Sequence, residues 1–278
     1  VSQGVLEFTG GGSAYSGGTA VGQIVVESNG TLRFARHDTF GNAPSNPQVT
    51  ITVNGGTVTN SASWFTPLGP VVLNEGTIAA NAGHSAWDSF LFRNTVTTVA
   101  AANPSYLTSS GSNSSFHLNS TGTTFNVADG AAAGDLIVSG VLEDYYSGTA
   151  GGLIKTGAGT MVLSGGNTFT GNVQVAGGTL IDTVQANNTS PTATGLGNMT
   201  VGGRTVTVSN GGTLVFDASD AMGSYQYKTP VTLIADGGTI TNGNGRFMSI
   251  GDVTLRNGGT LNADNGAAAG YQAFNLRG

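Results

Sequence analysis

The sequence predicts an all-β chain wound as a parallel β-helix, a β-solenoid of roughly a dozen rungs at about 4.8 Å each. Three observations carry this. A Gly-Thr-aliphatic triplet recurs at near-constant spacing, aliphatic and hydroxyl residues alternate beside it, and the composition favours strands and turns. The 278 residues include 46 glycines, 37 threonines, 24 serines and 24 asparagines, while charged residues make up 9%, against about 25% in ordinary globular domains. Coiled coils, helical bundles and charged disordered tails are thereby excluded.

The first copy of the repeat covers about residues 1–94. It opens with GVLEF (4–8), continues through SNGTLRFA (28–35) and VTITVNGGTVTN (49–60), and closes with PVVLNEGTIAA (70–80) and SFLFRN (89–94). Its triplets are Gly30-Thr31-Leu32, Gly56-Thr57-Val58 and Gly76-Thr77-Ile78, with threonines 26 and 20 residues apart. In VTITV the aliphatic residues face one way and the threonines the other, as in a strand with one buried face. The Asn-Gly or Asp-Gly pairs ahead of the threonines are expected to supply the positive φ of a tight corner. Residues 95–155 read as linking rungs of similar style.

The second copy runs from about 156 to 278 and carries Gly178-Thr179-Leu180, Gly212-Thr213-Leu214, Gly238-Thr239-Ile240 and Gly259-Thr260-Leu261. SNGGTLVFD (209–217), VTLIADGGTITN (231–242), DVTLRNGGTLNA (252–263) and AFNLRG (273–278) match the first copy at an offset of 182 to 184 residues. GTMVLSGGNTFTG (159–171) matches residues 4–17 at an offset near 155. The difference predicts an extra turn of structure within 179–213. Rungs of 20 to 26 residues are too short for βαβ units, and a single continuous solenoid over 1–278 accounts for the whole chain. A two-sheet sandwich would not repeat one triplet at one spacing.

The stretch 150–180 resembles the autotransporter-associated β-strand repeat of bacterial type V passengers. The likeness lies in Gly151 to Leu153, Lys155 to Thr160, Met161 to Gly165, Asn167 to Gly171 and Gly178 to Leu180. A degenerate copy, without the Lys-Thr pair, opens the chain at Gly4, Thr9-Gly10, Tyr15, Gly17 and Gly30-Thr31-Leu32. The resemblance implies a right-handed β-helix located outside the cell or on its surface, and supplies no catalytic activity of its own.

Function is written more faintly. A net charge of −6 with nine scattered Lys and Arg argues against nucleic acid, since phosphate neutralisation needs clustered cations. No apolar run approaches the ~18 residues of a membrane helix, and the chain has no cysteine. Neither cofactor nor metal is expected: the three histidines are dispersed and no Gly-Gly-x-Gly-x-Asp repeat occurs. Arg36-His37-Asp38 reads as a loop between rungs. Glu143-Asp144 is an adjacent carboxylate pair, but neighbours on a strand point to opposite faces and so could not flank one glycosidic bond; a surface loop is expected there. Trp87, Tyr145 and Tyr146 are the candidates for contact with a surface carbohydrate.

The leading expectation is a non-enzymatic structural or adhesive rod. Its rival is a secreted β-helix enzyme acting on polysaccharide, to be tested first at Glu143, Asp144 and Asp38. The sequence begins and stops within repeats, so Val5, Leu6 and Phe8 are expected to meet Phe274 and Leu276 of the next copy, either head to tail between molecules or within a longer covalent array.

Overall fold

The computed structural model describes residues 1–9, 21–36, 38–40, 47–61, 65–81, 89–110, 114–145, 149–209, 211–224, 226–243, 245–263 and 273–276. Each coil runs through a strand of one long sheet, a corner, a strand of a second long sheet, and a return segment. In one coil these are Gln48–Asn54, Thr57–Asn60 and Thr66–Leu68, after which Val71–Asn74 begins the next. The corner sheet starting at Gln3–Phe8 and ending at Thr260–Asn262 has eleven strands. Its companion, from Val21–Glu27 to Val253–Arg256, has ten. The return face is less regular. Thr66–Leu68, Ser89–Phe92, Ser115–Leu118 and Val141–Asp144 form a four-stranded sheet, and Phe247–Ile250 pairs with Ala273–Leu276. All of these ladders are parallel, as in Val53↔Leu73, Leu180↔Leu214 and Phe116↔Phe90. Ten steps of about 4.8 Å make a rod close to 50 Å long. The structure is therefore a parallel β-helix.

Strand alternation fills its interior. Val49, Ile51 and Val53 are buried while Thr50 and Thr52 reach the surface. Aromatic rings continue the column from coil to coil: Phe8 stacks on Phe34 at 5.8 Å, and Phe92 stacks on Phe116 at 5.5 Å before meeting Phe125 edge-on.

The corners divide two tasks that the sequence reading had merged. Positive φ belongs to the residue before the motif glycine, as at Gly55, Glu75, Gly211, Gly237 and Gly258. The motif glycine itself meets the coil beneath. A Cβ on Gly56, Gly76, Gly212, Gly238 or Gly259 would lie no more than 2.5 Å from a backbone carbonyl oxygen of Glu27, Val53, Val175, Ser209 or Ala235. Close backbone approach, more than chain flexibility, fixes glycine at that place.

Within each copy the triplets stack residue on residue. Thr31 lies beside Thr57 and Thr57 beside Thr77, while Thr179, Thr213, Thr239 and Thr260 form a second ladder. The two ladders are displaced by two residues. The inward column that holds Leu32, Val58 and Ile78 continues through Leu107, Val138 and Leu163, and then receives Asp182, Phe216 and Asn242. Leu180, Leu214 and Ile240 stand one pleat earlier, above Met161. A slip of two preserves the inward face, which a slip of one would reverse.

The second copy also holds one more coil. Gln3–Phe8 pairs directly with Asn29–Phe34, whereas Gly178–Asp182 lies between Thr160–Leu163 and Gly212–Phe216. That coil returns by the long excursion 183–204, which buries Leu196 and Met199.

Candidate functional site: the return face and the repeat corner

On the four-stranded return sheet, Phe116, Leu118 and Leu142 are fully buried, and His117 and Glu143 pair side by side on the adjacent strands. His117 Nδ1 lies 2.5 Å from the Asp144 carbonyl oxygen and so donates its proton there. Its Nε2 lies 3.1 Å from Glu143 Oε1, the same atom that accepts the Ser115 hydroxyl. Burial lowers the His117 pKa below 6.5, with the Glu143 charge opposing. Phe65 meets the His117 ring edge-on at 4.8 Å, and Arg93 covers the Tyr145 ring at 4.8 Å. A serine nucleophile needs its oxygen against the imidazole and the acid behind the ring. Here Ser115 bonds the Glu143 carboxylate and His117 bonds the Asp144 carbonyl, while Nε2 makes no hydrogen bond among the described residues, an arrangement that ties neighbouring strands together.

Glu143 and Asp144 do face opposite ways, but they sit in the strand Val141–Asp144 and not in a surface loop. Asp144 Oδ1 accepts the Gly151 and Thr170 N–H groups at 2.7 and 2.8 Å, and its Oδ2 accepts the Thr170 hydroxyl at 2.6 Å. Both oxygens thus join successive coils. Asp38 adopts a left-handed φ of 53° in its turn, and its N–H donates to the Phe65 carbonyl at 3.1 Å.

The corner built by Lys155 to Gly178 is a second polar centre. Lys155 lies in the inward column between Phe125 and Val175 and is fully buried. Its ammonium donates to the carbonyls of Thr156, Gly157 and Gly177 at 2.9, 2.9 and 3.0 Å. Burial pulls its pKa down to about 8, against the attraction of Asp135. The Asp135 carboxylate accepts the Gly130 and Thr160 N–H groups at 2.8 and 2.7 Å. Gly178 combines a φ of 61° with the close approach, since its Cβ would sit 2.5 Å from the Gly157 and Gly159 oxygens. Lys-Thr-Gly-x-Gly-Thr therefore encodes a corner clamped by its own lysine.

Asp182 was missed by sequence reasoning, because Leu180-Ile181-Asp182 looks like an ordinary strand end. It is fully buried, and burial raises its pKa to about 8. Oδ1 accepts the Val184 N–H at 2.9 Å, while Oδ2 has no partner. Gly195 lies so close that a Cβ there would collide with the carboxyl.

Leu32, Val58, Ile78, Leu180, Leu214 and Ile240 are buried, and Leu261 is partly so. Val5, Leu6 and Leu276 are 55, 41 and 61% exposed. Phe8 packs against Phe34 and Phe40, and Phe274 is half-buried. Tyr145 is half-buried against Phe65, and with Arg93 over its ring it offers no open platform for a sugar. Trp87, Tyr146 and His37 lie outside the described residues. Among the described residues no group of His, Asp and Glu could hold a metal ion, and no helix is long and apolar enough to cross a membrane.

Parallel coils with glycine-paved corners and a lysine-clamped turn define a class of protein, the repeat-built β-solenoid. The particular repeat is that of autotransporter passengers. The family described as Passenger-associated-transport-repeat matches at residues 3–23 and 153–181, the degenerate copy and the lysine corner respectively. Over 157 residues, 55% of this chain, the sequence is 30% identical to the Adhesin BmaC autotransporter of Brucella suis biovar 1 (strain 1330). The aligned part amounts to 4% of that adhesin's length. No solved structure matches.

Proposed function

We propose that the chain is a section of a non-enzymatic, extracellular adhesive passenger, a stiff rod carried at the bacterial cell surface. One observation carries this reading: the residues that distinguish the repeat are engaged in building coils. Lys155 clamps its corner, Asp144 staples two successive coils, and the motif glycines seat each coil on the one before. The polar centre of the return face, Ser115, His117 and Glu143, has the connectivity of a strand tie and not of a nucleophile and its base. The adhesin named above supports the adhesive part. Exposed Val5 and Leu6 at one end, with Leu255 and Leu276 at the other, present apolar surface suited to a second molecule stacked head to tail.

The test is attachment. Cells displaying this chain on a carrier should bind cultured epithelium better than cells displaying the carrier alone, and equal attachment would refute the adhesive reading. Release of reducing sugar from a polysaccharide panel, abolished by Glu143→Ala, would refute the non-enzymatic one. A monodisperse monomer in light scattering at high concentration would refute stacking.

A further inference from the structure

Along the corner that leads into the ten-stranded sheet lies an open trough of about 550 Å³, within the ~300–1,000 Å³ range of small-ligand sites. The turn at Ser120–Gly122 closes one end and the turn at Val201–Gly203 the other. Between them run the coils of Gly152 and Gly171, so the trough spans three coil steps, about 14 Å. Its floor is low because glycine is required there: a Cβ on Gly171 would strike the Gly151 carbonyl, and one on Gly152 would crowd Asn172 and Gly122. The floor is also satisfied, since Gly171 N–H donates to Gly151, Thr123 N–H to Gly152 and Leu153 N–H to Asn172.

The lining has a definite chemistry. Ser120, Thr121 and Gln174 are exposed, and none of their side chains bonds to protein among the described residues. Asn172 uses its Oδ1 to accept the Thr205 N–H, which leaves its NH₂ to the trough. Ile154 and Val201 add apolar surface. Among the described lining residues the one that is charged, Arg204, is spent: its guanidinium donates to the carbonyls of Gly171, Asn198 and Leu196, and it is only 3% exposed. An anion would find no available cation. A peptide strand would find no unpaired backbone to extend. Amides and hydroxyls that both donate and accept, set around an aliphatic patch, suit a ligand with many neutral hydroxyls and an apolar C–H face.

We propose that this trough binds a short neutral oligosaccharide lying parallel to the rod axis. The proposal deepens the adhesive reading and rests on it for its biological sense, though not for its chemistry. Affinity at one such site should be weak, with a Kd of about 1 mM, and repetition along and among rods would multiply it.

The experiment is saturation-transfer NMR on the 278-residue chain with maltotriose, cellotriose, chitotriose and an N-acetyllactosamine trisaccharide, beside a heparin hexasaccharide. At least one neutral probe should bind. Gln174→Ala should weaken it about tenfold, a loss near 1.4 kcal/mol. Thr121→Arg, which fills the trough, should abolish binding, and Gln23→Ala, elsewhere on the same sheet, should leave it unchanged. Equal melting temperatures of the variants exclude misfolding. No signal from any neutral probe, unchanged binding in Thr121→Arg, or preferential binding of the heparin fragment would overturn the proposal. The displayed chain separates it from the adhesive reading: full attachment by Thr121→Arg cells removes the trough and keeps adhesion. Trisaccharide binding without attachment does the reverse.

Discussion

Asp182 makes the stability of the rod depend on pH in a direction opposite to that of most carboxylates. It stands where the column has held leucine, valine or isoleucine, and burial raises its pKa from 3.8 to about 8. The folded state therefore keeps a proton that the unfolded chain releases from pH 4 upward. Stability present below pH 4 is lost as pH rises toward 8, because the folded state binds more protons across that window. At about 1.4 kcal/mol per pH unit, the loss by pH 7 is on the order of 4 kcal/mol. Asp182→Asn retains an acceptor for the Val184 N–H and cannot ionise. The urea midpoint of the variant should therefore pull steadily ahead of the parent's, from near pH 5, where the curves meet, to pH 8, where the gap reaches about 4 kcal/mol. His117 works the other way, since its lowered pKa gives stability that is lost as pH falls below 6.5, but it is common to both proteins and cancels in the difference. Parallel curves would refute the reasoning.

Four further outcomes are expected. Lys155→Ala should lower the urea midpoint at pH 7 by the equivalent of at least about 2 kcal/mol, because three carbonyls lose their donor; an unchanged midpoint would contradict the clamp. With a folded pKa near 8 against 10.5 unfolded, the parent chain should gain stability from pH 8 to 10.5 by denaturant titration, and a Lys155→Met variant should lose that gain. Gly178→Ala, which meets two carbonyls, should cost about 3 kcal/mol, whereas Gly203→Ala, with a φ of 78° in open space, should cost only about 1 kcal/mol; equal melting temperatures would refute the contrast. Leu214→Asp should unfold the neighbouring coils as judged by hydrogen exchange, and Leu261→Asp should do less, since Leu261 is only partly buried.

The parts of the fold legible in the sequence were those fixed by local backbone chemistry. Gly56-Thr57-Val58 or Gly238-Thr239-Ile240 states a corner, an outward hydroxyl and an inward aliphatic residue within three positions. The extra coil could be read from two offsets that disagreed. The return face was not legible, because its segments differ in length and alternate poorly: Ser115–Leu118 is buried on both sides, inside a serine and asparagine run that looks like a loop. His117 was hidden there. The burial of Lys155 and Asp182 was equally hidden, since inward or outward is decided by register across coils. The two-residue slip that places Asp182 in an aliphatic column has no signal within its own strand.

The seat beneath each motif glycine has a consequence for how such rods change length. Gly56 rests on the carbonyl of Glu27, Gly212 on that of Val175 and Gly259 on that of Ala235. In each case the nearest atom is a peptide oxygen, which every residue possesses. A coil can thus be duplicated, deleted or moved without a matching change in its neighbour, much as courses of brick share one bed joint whatever their glaze. Surface residues can then diversify under selection while the pitch stays constant, and the number of coils becomes a freely heritable trait.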